Sequence, residues 1–330
     1  YFGAGINHRS RKRACLRTGP NERENAMRGI FTAVVCAGLV STSFAQQDPQ
    51  FTQYMFDRLS INPGVAGTSG NICATALLRQ QWTGFDGAPK TGLINIHSPI
   101  DKISSGVGLS VYFDQLGQLK TNALRLHYSF HRKLGAGTLG IGVYGGLISR
   151  TLGSNWIAVD PVSDDAAIPD NGTSASGFDL GAGVYYVNPK FWLGLSSTQL
   201  PSTKLDAVSI QNARHYYAQA GYNWDIVPNK WQLQPSILIK SDAASTQLDL
   251  NAMMLYNKTI WLGVTYRTED AIAPMIGYQH DAANGKSSYK IGYSYDLTTS
   301  ELKNYSSGSH EVMLNYCFKI VKPVKREIYR

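Results

Sequence analysis

The amino-acid sequence predicts an all-β fold, an antiparallel transmembrane β-barrel of about 14 strands. Three observations predict it. Fourteen segments alternate apolar and polar residues with period two, as strands do. No run of about eighteen apolar residues follows the N-terminal region, so no membrane helix is expected. The connections between the segments alternate between long and short, as they do in single-chain bacterial barrels, which also have an even number of strands.

The N-terminal region is interpreted as two segments that precede the mature protein. Residues 1–26 form a basic, Arg-rich stretch without a hydrophobic pattern, read as a leader or a misassigned start, with a functional basic arm as the alternative. Residues 27–45 are typical of a secretory signal, with an apolar core at 30–40 and a small-x-small cleavage site at 43–45. A secreted chain that folds as a transmembrane barrel is expected in the cell outer membrane.

The positive charge lies mostly at the two ends of the chain. Residues 1–45 hold seven Lys or Arg against two Glu, and the stretch from Lys319 onward holds five against one, out of a formal net charge of +8. The predicted barrel body is therefore close to neutral. Because nucleic-acid binding requires a basic face on a folded domain, no nucleic-acid partner is expected.

The predicted barrel spans residues 71–321 and is followed by a basic tail at 322–330. Its closing strand shows the pattern clearly, because Val312, Leu314 and Tyr316 share one face while Glu311 lies on the other. The fourteen segments are 72–82, 90–98, 105–114, 124–131, 137–149, 177–188, 190–197, 213–225, 230–240, 247–254, 258–266, 271–280, 289–296 and 308–321.

The connection lengths predict the orientation of the barrel. With a periplasmic N-terminus, the odd connections face outside, and these include the three longest, at 150–175, 198–212 and 298–307. A secreted soluble β-sandwich is the alternative, in which the apolar faces would be buried against each other. The regular repetition favours the barrel, as do aromatic residues at strand ends that resemble interfacial girdles, namely Trp82, Tyr216, Trp224 and Trp231.

Residues 46–70 precede the first strand and are predicted to contain a short helix. Asp48 is a suitable N-cap, Pro49 suits the first helical position, and residues 50–60 have helical apolar spacing. Asn62 is expected outside the helical region because a proline follows it. Two interpretations stay open: a periplasmic strap on the barrel mouth, or a plug or partner-docking element. The candidate contact residues are Phe51, Tyr54 and Phe56.

The residues predicted to face the inside of the barrel are polar, which predicts a polar lumen. The side chains of the strands alone are not expected to fill that lumen. About eight strands already enclose an interior that side chains fill, so fourteen leave extra space. Water, residues 46–70 or a loop are the possible occupants. Gly140, Gly142, Gly181 and Gly183 are predicted to be thin inward positions where a strand bends or something packs against it. The charged or His residues with lumen parity are Arg79, Asp114, Arg125, His127, Asp179, Lys240, Asp249, Lys290, Asp296 and Glu311.

No catalytic, cofactor or metal site is predicted. His127 and His131 are four residues apart on a strand, but no carboxylate or cysteine pattern accompanies them, so the spacing of metal ligands is not met. The other histidines are scattered without a catalytic signature. The pairs Gly140/Gly142 and Gly181/Gly183 are not followed by the helix that a phosphate-binding loop requires.

The loop at 82–90 and the two cysteines give two further predictions. The loop is expected to fold inward over the outer mouth of the barrel. The alternative is an aromatic girdle residue at the membrane interface followed by an ordinary turn. The candidate contact residues of the loop are Trp82, Phe85, Asp86 and Pro89. Cys73 and Cys317 lie near the start of the first strand and the end of the last, so closure places them on neighbouring strands at the same end of the barrel. Whether they form a disulfide stays open, the alternative being two small buried residues at the seam.

Four stretches resemble the PorP/SprF family, outer-membrane proteins of the type IX secretion and gliding-motility apparatus. The resemblance implies a non-enzymatic protein without a cofactor that aids surface delivery or anchoring of secreted client proteins. It also implies ring and motor components, client proteins and outer-membrane lipid as partners. The barrel architecture alone leaves a diffusion porin or substrate channel as the alternative. The stretches are Asp48-Pro-Gln-Phe-Thr-Gln-Tyr-Met-Phe56, Ile61-Asn-Pro-Gly-Val-Ala-Gly67, Arg79-Gln-Gln-Trp-Thr-Gly-Phe-Asp-Gly-Ala-Pro-Lys-Thr91 and Tyr305-Ser-Ser-Gly-Ser-His-Glu-Val-Met-Leu314.

Overall fold

The computed structural model describes residues 49–84, 86–154, 172–205, 208, 210–282 and 285–319. The predicted leader, signal and basic tail lie outside these residues. The strands are β1 (Ile72–Gln80), β2 (Lys90–Ile100), β3 (Ser105–Leu116), β4 (Leu119–Leu134), β5 (Gly137–Leu152), β6 (Thr173–Val187), β7 (Phe191–Thr198), β8 (Lys204–Leu205), β9 (Ile210–Gln211), β10 (His215–Tyr222), β11 (Trp224–Val227), β12 (Trp231–Ser241), β13 (Thr246–Tyr256), β14 (Ile260–Arg267), β15 (Ala271–Asp281), β16 (Ser287–Thr298) and β17 (Ser309–Phe318). Short 3-10 turns occupy Pro63–Val65, Asp101–Ile103 and Glu301–Asn304.

The strands form a closed antiparallel barrel. Each of β1 to β7 pairs with its neighbour in sequence, β7 pairs with β10, β10 with β12, and β12 to β17 continue in order. The pairing of β1 with β17 closes the ring. Counting β10 and its short continuation β11 as one strand, the described residues form fourteen barrel strands, which confirms the predicted fold. The pair β8 and β9 is a small hairpin inside the connection that follows β7.

The two faces of the wall differ as the alternation predicts. On β4, Leu124, Leu126 and Tyr128 are exposed on the outside, whereas Arg125 and His127 are buried on the inside. A continuous exposed apolar surface of this kind is stable only when lipid covers it. No helix in the described part of the chain is long and apolar enough to cross a membrane.

The connections distinguish the two ends of the barrel. One end carries the long connections at 81–89, 153–172, 199–214 and 299–308, and the other carries mostly tight turns, such as those at 135–136 and 188–190. In outer-membrane barrels long loops face outside and short turns face the periplasm, so we call these the outer end and the periplasmic end. Both β1 and β17 have their Cys-bearing ends at the periplasmic end.

The segment before β1 does not form the predicted helix. Residues 52–56 form turns, in which the Phe56 amide donates to the Gln53 carbonyl at 3.0 Å and the Asp57 amide to the Tyr54 carbonyl at 3.1 Å. The helical spacing was misleading because side chains on all sides of this stretch are buried, not one apolar stripe. Residues 49–67, which we call the plug segment, lie inside the lumen.

Glycines on the inward face of the wall make room for the plug segment, as predicted for Gly140 and Gly142. A Cβ atom on Gly140 would lie 2.1 Å from the Gly64 carbonyl oxygen, and one on Gly142 would lie 2.4 Å from Pro63. These distances are shorter than any van der Waals contact. The plug backbone therefore lies directly against the backbone of β5.

The substitution Gly140→Ala is expected to displace the plug and destabilise the folded barrel by about 1–3 kcal/mol, as overpacking does. Gly145→Ala on the same strand is the matched control, since its Cβ would meet only a Leu180 methyl carbon at 3.6 Å. Urea unfolding in lipid vesicles measures both. Equal midpoints for the two variants would contradict the close contact between plug and wall.

Candidate functional site: the plugged lumen

A buried charged network lies in the outer half of the lumen. The Arg79 guanidinium on β1 donates to Asp296 Oδ2 at 2.7 Å and to Glu311 Oε2 at 3.1 Å. All three side chains are almost completely buried. They come from β1, β16 and β17, which are neighbours because the barrel closes through the β1–β17 pair. Buried charges of this kind require compensation, and here each charge has a partner of opposite sign.

The plug segment completes this network. Glu311 accepts the backbone N–H of Thr52 at 2.7 Å and of Gln53 at 2.8 Å, one on each carboxylate oxygen. The Thr52 hydroxyl donates to Asp296 at 2.9 Å and accepts from Arg79 Nη1 at 2.9 Å. These charge-assisted hydrogen bonds hold the plug on the wall and occupy backbone N–H groups at the start of the predicted helix.

The network extends around the wall through Arg267. Its guanidinium contacts Asp249 at 3.4 Å, Asp270 at 3.1 Å and Asp296 at 3.3 Å. Lys240 Nζ lies 3.0 Å from Asp249 Oδ2 and donates to Gln50 Oε1 at 3.2 Å, which adds another contact to the plug segment. The charged residues thus connect strands on both sides of the β1–β17 seam.

A second buried ion pair lies on the far side of the lumen. Arg125 Nε on β4 donates to Asp179 Oδ2 at 2.7 Å, and the Tyr144 hydroxyl donates to the other Asp179 oxygen at 2.8 Å. The guanidinium lies 4.9 Å from the Tyr144 ring centroid, a cation–π distance. Arg125 Nη1 also reaches the Ser60 carbonyl at 3.4 Å, so this pair contacts the plug segment too.

The later half of the plug segment is bound mainly through backbone groups. Asn62 has extended φ and ψ, as predicted, and its side-chain amide donates to the Val184 carbonyl at 3.0 Å. The Ser129 hydroxyl donates to the Gly64 carbonyl at 3.0 Å, and the Ser196 hydroxyl to the Ile61 carbonyl at 2.7 Å. Strands β4, β6 and β7 therefore all bind the plug.

Asp57 is a buried carboxyl group at the centre of the plug segment. Burial raises the pKa of Asp57 to about 6, although hydrogen bonds from Ser60 and Asn95 act in the opposite direction. Because this folded-state pKa lies above the unfolded value, the folded state binds the proton more tightly. The free energy of unfolding is therefore expected to fall by roughly 2 kcal/mol as the pH rises from about 4 to about 6, and by roughly 3 kcal/mol over the whole range from about pH 3 to about pH 7.

The variant Asp57→Asn is expected to lose this pH dependence while keeping its contact with Asn95. Urea unfolding of both proteins at pH 4, 5, 6 and 7 measures the difference. The substitution leaves the surrounding network of buried ion pairs intact, so any remaining slope comes from other groups. Identical slopes for the two proteins over this range would contradict the raised pKa.

The structure divides the predicted contact residues between two places. Phe51, Tyr54 and Phe56 lie in the lumen, where the Tyr54 hydroxyl is 3.0 Å from Ser236 Oγ and the Phe56 ring centroid is 5.0 Å from that of Trp261. The residues of the 82–90 loop lie at the outer end, separate from them.

In that loop, the Trp82 amide donates to Ser309 Oγ at 3.0 Å, and Trp82 itself is half-buried. Asp86 is exposed and Pro89 is buried. Phe85 lies outside the described residues. The loop is tied to the connection before β17, because the Thr83 amide donates to the Gly308 carbonyl at 2.8 Å and the Ser307 amide to the Thr83 carbonyl at 2.6 Å.

The two cysteines lie opposite each other at the barrel seam. Cys73 on β1 is directly paired with Cys317 on β17, with a Cα–Cα distance of 4.1 Å, and a disulfide joins them. Their sequence separation is 244 residues, so the bond links the first and last strands covalently. It lies near the periplasmic end, below the charged network.

Several residues of the network could not be selected from the sequence. Arg267 and Asp270 both lie beyond the end of the predicted strand 258–266, so the sequence did not indicate whether their side chains face the lumen. Thr52 and Gln53 fall inside the predicted helix, where polar residues are ordinary. The sequence signal that could have pointed toward them is the pair of inward carboxylates Asp296 and Glu311, because buried charges require partners.

The arrangement holds a polypeptide segment in the lumen through ion pairs and hydrogen bonds from the wall. Among the described residues, no group of three or more His, Cys, Asp or Glu side chains is placed to hold a metal ion. The ionised groups of the outer network are engaged with one another and with the plug. An apolar lipid-facing wall, a polar lumen and an internal segment define a plugged transmembrane β-barrel of the outer-membrane class.

The chain belongs to the PorP/SprF family of type IX secretion system membrane proteins, whose family model matches residues 43–316. The resemblance found in the four sequence stretches is thereby confirmed, as is the outer membrane as the location. A search of the curated proteins gives no match.

Several solved outer-membrane proteins are similar to this chain at low identity. The Pseudomonas putida toluene transporter TodX is 8% identical with a TM-score of 0.49, covering 83% of this chain and 95% of that one. The Ralstonia pickettii toluene transporter TbuX is 11% identical with a TM-score of 0.47, covering 82% and 94%. Acinetobacter baumannii Omp33 is 7% identical with a TM-score of 0.39, covering 76% and 99%. Likenesses this distant carry no argument about function.

Proposed function

We propose that the protein is a non-enzymatic component of the type IX secretion machinery that aids surface delivery or anchoring of secreted client proteins through protein–protein contacts. Family membership supplies the secretion context. The observation that supports the role most is the plug segment, because its backbone is held by Glu311 and by residues of several strands. A lumen filled in this way suits a rigid docking scaffold better than an open diffusion channel.

The partners in this proposal are ring and motor proteins of the secretion system, client proteins at the cell surface, and the surrounding outer-membrane lipid. The long connections join strands at the outer end, where a client at the cell surface would make contact. The tight turns and the start of β1 lie at the periplasmic end, where components of an envelope-spanning machine would make contact.

Affinity purification of the tagged full chain from native outer membranes tests the proposal. We expect secretion-system proteins to be recovered with it. Deleting residues 46–70 is expected to abolish surface delivery of clients while the barrel keeps its heat-modifiable gel mobility, the mark of a folded barrel. The matched pair Gly140→Ala and Gly145→Ala separates plug displacement from a general effect of substitution on β5.

Two results would contradict the proposal. One is a tagged chain that recovers no secretion component. The other is a plug deletion that leaves client delivery unchanged. Loss of barrel folding on deletion would instead assign residues 46–70 the role of a structural strap.

A further inference from the structure

The connections at the two ends of the barrel carry opposite charge. Counted on the sequence, the six periplasmic turns hold five Lys against one Asp, whereas the seven outer connections hold ten Asp or Glu against three Lys or Arg. The periplasmic turns are 101–104, 135–136, 188–190, 228–230, 257–259 and 282–286. The outer connections are 81–89, 117–118, 153–172, 199–214, 242–245, 268–270 and 299–308. The proposed function does not use this difference.

Basic side chains encircle the periplasmic end of the barrel. Arg132, near the end of β4, and Lys319, directly after β17, add to the Lys residues of the turns. Every periplasmic turn therefore has a basic residue in it or close beside it. Six of these basic residues, all of them exposed, are together called the basic rim. They are Lys102, Arg132, Lys190, Lys230, Lys258 and Lys319.

The acidic residues at this end neutralise the basic rim only in part. Asp101 adjoins Lys102 and is the single acidic residue of the six turns. Asp225 and Asp281 lie at strand positions of lumen parity, and Asp225 accepts a hydrogen bond from Gln232 Nε2 at 2.7 Å. The basic rim outnumbers these three carboxylates, so the periplasmic end attracts anions.

Hydrogen bonds between neighbouring turns hold the backbone of the basic rim in place. The Lys190 carbonyl accepts from the Asn223 amide at 2.6 Å, and the Lys230 carbonyl accepts from the Asn257 amide at 2.8 Å. A ligand of the rim therefore has to order side chains and not the turns themselves, which lowers the entropic cost of binding.

Aromatic side chains on the lipid-facing surface lie beside the basic rim. Trp231 directly follows Lys230, and Phe130 lies two residues before Arg132 on the same face of β4. Both rings are exposed on the outside of the wall, as is Phe318 at the end of β17. Aromatic rings of this kind lie at the level of the lipid head groups, and long basic side chains near that level extend toward the phosphates.

We propose that the basic rim binds the phosphate groups of anionic phospholipids in the periplasmic leaflet of the outer membrane. A ligand that surrounds the barrel matches basic residues that are distributed around its whole circumference. The lipid-facing aromatic residues place the rim at the level of the head groups. An acidic protein on the periplasmic opening would need the charge but not the aromatic neighbours. This inference is independent of the proposed role in secretion.

Tryptophan quenching by brominated lipids tests the proposal on the full chain in mixed vesicles of phosphatidylcholine and phosphatidylglycerol. Bromine on the acyl chains of one lipid at a time reports which lipid contacts the wall. Subtracting the signal of the Trp224→Phe, Trp231→Phe double variant isolates the two lipid-facing tryptophans at the periplasmic end. We expect phosphatidylglycerol to be preferred about fivefold at low salt, since one Lys or Arg near a membrane surface contributes about that factor.

Salt and charge variants show whether the basic rim causes the preference. Raising the salt concentration from about 0.01 M to about 1 M shortens the Debye length from about 30 Å to about 3 Å, so the preference of the native protein is expected to disappear. The triple variant Lys190→Gln, Lys230→Gln, Lys258→Gln is expected to bring the preference close to one at low salt.

The outer end supplies a matched control with the same loss of charge. Lys204→Gln, Arg214→Gln and Lys303→Gln together remove the three basic residues of the outer connections, all of them exposed. This variant is expected to keep the preference measured at Trp224 and Trp231. Heat-modifiable gel mobility establishes that each variant is folded, and the salt series on the native protein requires no variant of the rim.

Three outcomes would overturn the proposal. Equal quenching of the native protein by the two brominated lipids at low salt would do so, and would favour an acidic periplasmic protein as the ligand of the rim. A preference that persists at high salt would show that charge is not its cause. Equal losses in the two triple variants would show that the basic rim is not its place.

Discussion

Glu311→Ala is expected to destabilise the folded barrel by about 3–5 kcal/mol and to release the plug segment. The carboxylate is completely buried and accepts hydrogen bonds from the backbone of Thr52 and Gln53 and from Arg79. Its removal leaves a buried guanidinium with one partner fewer and two amide groups without an acceptor, which are among the costliest changes in a protein interior. Urea unfolding in vesicles measures the stability, and limited proteolysis measures release of the plug.

Asp270→Asn provides the control for Glu311→Ala. Asp270 also belongs to the network, but its side chain is 21% exposed, and among the described residues its ion-pair partner is Arg267 alone. Within the described part of the chain it forms no hydrogen bond or ion pair with the plug segment, so we expect a loss of no more than about 1 kcal/mol and a protected plug. Equal losses in the two variants, or a plug that stays protected in Glu311→Ala, would show that Glu311 does not hold the plug.

Breaking the seam disulfide is expected to lower stability by up to about 5 kcal/mol. The bond joins Cys73 to Cys317 across 244 residues, and in the chain-entropy model a loop of this length has a large effect on the unfolded state. Cys73→Ser, Cys317→Ser and the double variant are expected to unfold at the same urea concentration, because each removes the same bond.

A reducing agent distinguishes the disulfide from ordinary packing of the two cysteines. It is expected to bring the native protein to the midpoint of the serine variants and to leave the variants unchanged. Thiol labelling of both cysteines in the unreduced protein, together with insensitivity to reductant, would contradict the bond.

The barrel could be predicted from the sequence because the two faces of its wall meet different surroundings. Lipid on one side and a polar lumen on the other impose an alternation of period two on every strand. A short alternating segment such as β4 therefore already indicates which of its side chains face lipid and which face the lumen. The placement of Cys73 and Cys317 on neighbouring strands at the same end of the barrel follows from closure, since the first and last strands must be neighbours, whereas their direct pairing depends on a register that the sequence does not determine.

The conformation of the plug segment could not be predicted in the same way. Its apolar residues have helical spacing, but the partners that decide its structure, such as Glu311 and Gly140, are distant in the sequence. Thr52 and Gln53 donate their backbone N–H groups to a carboxylate more than 250 residues away. Local propensity is a weak guide where tertiary contacts of this strength compete with it.

The occupied lumen is the centre of this account, and single-channel recording of the purified native protein in planar bilayers tests it most directly. Residues 49–67 occupy the lumen and are bound by a buried network, so we predict insertion without stable open steps, and steps that appear in Glu311→Ala but not in Asp270→Asn. Stable open steps at each insertion of the native protein would contradict the plugged lumen and would favour a diffusion porin.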